Sequence, residues 1–307
     1  MPTPVTRPVS GHHGSPLGSP ADAASLLQAV LRENRCPQSP RLQQVLASLV
    51  RHLHAFAQET QLNYEELELG LQFLNAIGQA TGPKKNEAIL LADVLGVSTL
   101  VQLQDAQRIL AQGGTEPALI GPFWRAHQPV LPDGADIFTP DTPGTRLEVR
   151  VKTVSLDGRP IAGVRVEVWQ ASPVGLYENQ DETQADMNLR GRFTTDAQGA
   201  VRFRTVRPAG YPIPIDGPVG RLLEWQQRHP MRPAHIHFLA IAPGHRVLAT
   251  QIFDDVDPHI DNDVVFGAVG SLVRHFEPNP ERPGELMLDV TLMLEPGETR
   301  IPHPPLS

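Results

Sequence analysis

The spacing of apolar residues changes part-way along the chain, and the change predicts two kinds of structure. Between Arg41 and Thr60, the residues Leu42, Val45, Leu46, Leu49 and Leu53 recur every three or four positions, the stripe of an amphipathic helix. Asn63, three residues before Glu66, has the form of a capping box. It opens a helix running through Leu67, Leu71 and Leu74 to a stop at Gly82-Pro83. A third helix is expected from Asn86 to Leu95, ending at Gly96, and the helical pattern as a whole covers about Ala21 to Gln112. From about Arg146 the period is two. Leu147, Val149, Val151 and Thr153 alternate with Glu148, Arg150 and Lys152 up to a turn at Asp157-Gly158. Val164, Val166 and Val168 follow, and further strands fit Val201–Val206, His235–Ala242, Val247–Phe253 and Leu286–Leu294. The expected class is α+β: helices first, then a sandwich or barrel of antiparallel strands. Between Pro173 and Leu223 only Val201–Val206 reads as a strand, and the rest is expected to be irregular.

Composition narrows the function classes. The 307 residues are 40% hydrophobic, sufficient for a real core. The 26 Lys and Arg are scattered and the net charge is −8, which argues against a nucleic-acid partner. No apolar run approaches the roughly 18 to 20 residues a membrane span needs. Residues 1–20 are rich in Pro, Gly and Ser, without the apolar core of a signal peptide, and read as a disordered leader. The one cysteine, Cys36, cannot form an internal disulfide, which suits a reducing cytoplasm. Beside Pro37, with no base nearby, it reads as a bystander.

Candidate chemistry centres on His235-Ile236-His237. On a strand, residues two apart project from the same face, so both imidazoles can reach one metal ion. His52-Leu53-His54 has the same spacing in a helical stripe, where the two directions diverge by about 200°. A His-x-His on a strand can equally be a pair of exposed polar residues. Its flanks, Arg232-Pro233-Ala234 and Phe238-Leu239-Ala240-Ile241, make an apolar strand in which two titratable groups need a partner. Of the three tyrosines, Tyr64 opens a helix and is expected to pack. Tyr177 and Tyr211 lie in the irregular stretch, each near Gly or Pro, where either could be a metal donor or a half-buried ring with a bonded hydroxyl.

The combination resembles the intradiol ring-cleavage dioxygenases, the catechol, chlorocatechol and hydroxyquinol 1,2-dioxygenases. The resemblance is carried by Gly163–Trp169 through Tyr177, Asn188-Leu189-Arg190-Gly191, Thr195–Gly199, Tyr211-Pro212-Ile213-Pro214, Asp216–Gly220 and Arg232–Phe238. It runs from about Asn86 to Glu277 and more loosely through the earlier helices. It implies a helical dimerisation region over 21–115, a β-sandwich catalytic domain over 116–300 and a short tail over 301–307. It further implies one Fe(III) per subunit, held by Tyr177, Tyr211, His235 and His237, with Tyr211 and His237 axial and Tyr177 and His235 equatorial. Tyr211 would accept a proton from the diol, and Arg232 and Gln251 would stand beside the bound ring. Leu90, Asp93, Leu119, Gly121, Pro122 and Phe123 match substrate-pocket segments. The implied partners are an aromatic diol and dioxygen, a second copy of the chain, and a lipid-like molecule between the helical regions. Two phenolates are hard, strongly donating ligands that favour Fe(III), consistent with that assignment. Gln170 and Trp124 depart from residues common in the family, at positions that hold no iron.

Within the family, Leu176–Asp181, Asp186–Gly191 and Tyr211–Gly220 look most like hydroxyquinol 1,2-dioxygenases. Asp93 could bond a third ring hydroxyl, or be a helix-surface carboxylate. The implied reaction opens hydroxyquinol between its adjacent hydroxyls to a cis,cis-muconate, with catechol or a substituted catechol as the other substrate. A β-sandwich binding module without chemistry, and a zinc hydrolase using the histidines, are readings from other classes. The tyrosine pair counts against the second.

Overall fold

A computed structural model describes residues 22–82 and 85–304; the expected leader, and Pro83 of the expected helix stop, lie outside the described residues. The chain divides into two compact units between Gln72 and Phe73. The first contains α1 (Ala23–Glu33), α2 (Pro40–Glu59) and the opening of α3 (Tyr64–Ala80). Ser39 caps α2, accepting the Leu42 N–H at 3.3 Å. Asn63 and Glu66 bond each other's backbone N–H at 3.0 Å, forming the predicted capping box. The α2 stripe stays open: Leu42, Val45, Leu49 and Leu53 are 44–55% exposed. Tyr64 does not pack as expected and is 80% exposed. It is the first residue of α3, so it has no preceding helical turn to lie against.

In the second unit, α4 (Glu87–Val94) is capped by Asn86, and Gly96 at φ 72° joins it to α5 (Val97–Leu110). The strands are β1 (Arg146–Ser155), β2 (Arg165–Gln170), β3 (Arg190–Thr194), β4 (Ala200–Val206), β5 (Tyr211–Pro212), β6 (Met231–Arg232), β7 (His235–Ile241), β8 (Leu248–Asp254), β9 (Val273–Arg274), β10 (Glu277–Pro278) and β11 (Leu286–Leu294). A helix, α6 (Pro218–Trp225), lies between β5 and β6. One sheet has the order β10-β11-β1-β4, a second β3-β2-β7-β8-β9, and β5 pairs with β6. Inward residues of both large sheets, among them Leu147, Val149, Phe203, Val166, Phe238 and Leu292, form one buried cluster. This is the expected sandwich, with core side chains interdigitating between two layers. Most pairings are antiparallel, but β1–β11 and β8–β9 are parallel.

The stretch from Pro173 to Leu223 is more regular than its sequence predicts, since it holds β3 and α6 as well as β4. In β3, Arg-Gly-Arg-Phe-Thr, only Phe193 is a large apolar residue, so no alternation marks the strand. Gly191 packs where a Cβ would stand 2.8 Å from Ile137 Cγ2. Helix α6 is eight residues long, too short for a clear 3.6-residue period, and starts at Pro218. From Gly297 to Pro304 the chain runs without regular structure, and Thr299 Oγ1 donates to the Ala242 and His245 carbonyls at 2.9 Å. Among the described residues, no single helix is long and apolar enough to cross a membrane.

Candidate active site

Strand β7 is buried along its whole length, because the inter-sheet core covers one face and a second apolar cluster covers the other. Ile236, Phe238 and Ala240 enter the core. His235, His237, Leu239 and Ile241 therefore face the second cluster, where Phe123, Trp124, Trp169, Tyr177 and Tyr211 collect. The two imidazoles meet with their Nε2 atoms 3.1 Å apart. His235 Nδ1 is held by the Pro233 carbonyl at 2.7 Å, and His237 stacks on the Trp169 indole, with centroids 4.5 Å apart and planes 9° apart. The helical pair His52 and His54 makes no such meeting; His52 turns back to the Ser48 carbonyl.

Both candidate tyrosines reach the same place. Tyr177 and Tyr211 are 1% and 2% exposed, with their hydroxyl oxygens 3.5 Å apart. The Tyr211 ring centre is 5.6 Å from that of His235, and the Tyr177 ring centre 6.4 Å from that of His237. Burial, reinforced by Tyr211, pushes the Tyr177 phenol well above its usual range. Burial and the Arg232 charge push His235 down to about 3. Burial, His235 and Arg232 hold His237 well below the usual imidazole range. Two neutral imidazoles whose nitrogens face each other at 3.1 Å require a proton or a cation between them. The two phenols lie in the same buried cluster, so the four side chains could supply two nitrogens and two oxygens, a set that suits a hard, highly charged metal ion.

Arg232 and Gln251 stand beside the histidines. Arg232 Nη1 lies 3.4 Å from His235 Nε2, and its Nη2 donates to Gln251 Oε1 at 3.0 Å. Gln251 Nε2 donates to the Leu119 carbonyl at 2.6 Å and lies 3.3 Å from His237 Nδ1. Leu90 and Leu119 share a buried cluster with Ile213, Val264 and Val265. Gly121 takes the left-handed φ of 69° that favours glycine, and its backbone lies beside His237, where a Cβ would touch Cε1 at 3.5 Å. Pro122 follows, and Phe123 stacks on Tyr177 at 4.4 Å. Asp93 is 5% exposed rather than on a helix surface, and burial raises its carboxyl despite a bond from Ser98 and the nearby Arg232 charge. Trp124 and Gln170 have structural partners, Glu167 and the Val206 carbonyl respectively.

Sequence reasoning missed Asp263. Its carboxylate takes Arg232 Nε at 3.2 Å and Nη2 at 3.1 Å, and also the Val265 and Gly267 N–H groups. Burial alone would raise the Asp263 carboxyl; Arg232 holds it below its usual range. A buried arginine with no acid nearby in sequence was the available signal, but it does not say which distant carboxylate answers.

A family model described as Dioxygenase matches residues 119–293, and one described as Catechol dioxygenase N terminus matches residues 39–112. The chain belongs to the intradiol ring-cleavage dioxygenases. It is 40% identical to a hydroxyquinol 1,2-dioxygenase of a Rhizobium species over 251 residues, 81% of this chain and 84% of that one. It is 38% identical to the catechol 1,2-dioxygenase of Candida albicans over 259 residues, 84% of this chain and 85% of that one. Among solved structures, hydroxyquinol 1,2-dioxygenase from Pseudomonas putida superposes with a TM-score of 0.81 at 36% identity, covering 90% of this chain and 99% of that one.

Proposed function

We propose that this chain opens hydroxyquinol between its adjacent hydroxyls with dioxygen, at a ferric ion held by Tyr177, Tyr211, His235 and His237. The observation that carries the reading is the convergence of two buried phenols and two neutral imidazoles beside one buried guanidinium. When bound, ferric iron supplies a Lewis-acidic centre that favours the doubly deprotonated diol and draws electron density from its ring. Tyr211, ionised when it holds the metal, would accept one of the diol protons at Oη, and the other would leave to solvent. Arg232, held by Asp263 and Gln251, stabilises negative charge that develops on the ring as it opens, and its burial strengthens that effect. Phe123 and the apolar walls around Leu90 and Leu119 exclude water.

The substrate preference is supported by the names of relatives, which include a 6-chlorohydroxyquinol 1,2-dioxygenase of Cupriavidus pinatubonensis, 39% identical over 275 residues. It is also supported by the buried Asp93 carboxyl, which suits a third ring hydroxyl better than a bare ring edge. Catechol is the second reading, favoured by the Candida albicans relative. The same proposal assigns pairing of two chains, with a lipid-like molecule between them, to the helical region, on the support of its open apolar stripe. Oxygen uptake by the iron-loaded protein tests the reaction: one dioxygen per hydroxyquinol, a hydroxymuconate as product, and a lower kcat/KM for catechol are expected. Equal or higher kcat/KM for catechol would overturn the preference, and no uptake with any diol would overturn the reaction.

A further inference from the structure

Arg190, the first residue of β3, is 1% exposed. It pairs across the sheet with Trp169, Trp169 with His237, and His237 with Gln251. Directly paired residues share a face, so these four side chains form one row across β3, β2, β7 and β8. From the end of that row Arg190 reaches the segment around Tyr177. Its Nε lies 2.7 Å from Glu178 Oε1, an ion pair without hydrogen-bond alignment, and its Nη2 donates to Asn179 Oδ1 at 3.4 Å. Its Nη1 donates to the Phe123 carbonyl at 2.6 Å, and its Cζ is 5.8 Å from the Tyr177 ring centre. Glu178 and Asn179 directly follow Tyr177, while the Phe123 ring stacks on it. One guanidinium therefore holds the residues after Tyr177 and the backbone of the ring packed against it.

Two further observations mark this arrangement. Met187 and Leu189 both have φ 61°, a left-handed conformation unusual for such side chains, and the turn they make leads directly into Arg190. The Leu189 N–H bonds the Ile137 carbonyl at 2.7 Å, which fixes that turn. The Glu178 side chain is 1% exposed, also takes Arg125 Nη1 at 2.8 Å, and leaves its second oxygen without a partner. A buried ion pair loses most of its attraction to desolvation, and well-packed apolar residues often serve stability as well or better. Stability alone therefore gives little reason for this pair.

We infer that Arg190 and Glu178 are positioning residues for Tyr177, setting where its phenol oxygen stands against the histidines and tying that placement to the Gly121–Phe123 segment. The inference rests on the reading of Tyr177 as an iron ligand. It is tested in the full-length, iron-loaded protein with Glu178→Gln and Arg190→Lys, beside Glu167→Gln. Glu167 is a buried carboxylate of β2 that holds Trp124, Arg165 and Arg192 and serves as the control. Circular dichroism, the visible tyrosinate-to-iron band, iron removal by a chelator, and kcat and KM are compared. Both test variants are expected to fold, to shift the band, and to weaken iron retention by about 10–100-fold, with kcat falling more than KM changes. The control is expected to keep the wild-type band. Folded variants with an unchanged band and iron retention would overturn the inference while leaving the ligand set intact. So would an equal band shift in the control, or failure of both variants to fold, which would make the pair a folding element. A wild-type protein that loads iron without the band would remove Tyr177 as a ligand, and the inference with it.

Discussion

Two buried carboxyls near Arg232 have opposite environments and so predict opposite mutational effects. Asp263 is lowered by the guanidinium it grips, and Asp93 is raised by burial. Asp263→Asn leaves a fully buried arginine without its counter-ion. It is expected to cost about 3–5 kcal/mol in a urea unfolding experiment and to lower kcat, with iron content retained because no ligand is touched. Wild-type stability and kcat in that variant would contradict the role given to Asp263. For Asp93 the sign is reversed. A carboxyl whose folded pKa lies above its unfolded value destabilises the fold once ionised, so Asp93→Asn is expected to raise Tm at pH 7. The gain should shrink as pH falls through the Asp93 pKa, where the wild-type carboxyl takes up its proton. The same variant should lose preference for hydroxyquinol over catechol, measured as the ratio of kcat/KM values. A lower Tm at pH 7 or an unchanged ratio would count against this account.

At the scale of elements, legibility followed periodicity. β1 and β11 were readable because apolar residues, Leu147, Val149 and Val151 in one and Leu288, Val290 and Leu292 in the other, fall at every second position. β7 was readable as a short apolar run, in which a spacing of two puts both histidines on one face. β3 was not readable, since its outward Arg190 and Arg192 and its close-packed Gly191 look like a loop until their partners Glu178, Glu167 and Ile137 are in place. Their place in an irregular stretch beside Gly and Pro made Tyr177 and Tyr211 candidates, but only the family resemblance chose between the two readings, because nothing local separates a metal donor from an ordinary buried ring. Asp263 and the Arg190–Glu178 pair depend on contacts between segments 12 to 31 residues apart, which no local pattern encodes. The two faces of β7 also predict different failures. Phe238→Ala opens a cavity between the sheets and is expected to cost about 3–5 kcal/mol. If the urea midpoint of that variant stayed near wild type, the inter-sheet core would not be the main source of stability for this unit.

At the scale of the whole molecule, the open stripe on α2 is apolar surface left uncovered by the described residues of one chain. Leu49 and Leu53 are 51% and 55% exposed, and such a row favours contact with another apolar surface. Light scattering on the purified protein is expected to give a dimer, and the Leu49→Glu/Leu53→Glu variant a monomer with its sandwich intact. A variant that stays dimeric would place the contact elsewhere. The central claim, iron held by two tyrosines and two histidines for chemistry on a diol, is tested most directly by the visible spectrum of the iron-loaded protein, recorded without oxygen before and after hydroxyquinol is added. The account predicts a broad tyrosinate-to-iron(III) band that shifts to longer wavelength with the diol and is diminished in Tyr177→Phe. A protein that binds stoichiometric iron yet stays colourless, or whose band ignores both the diol and the substitution, would contradict it.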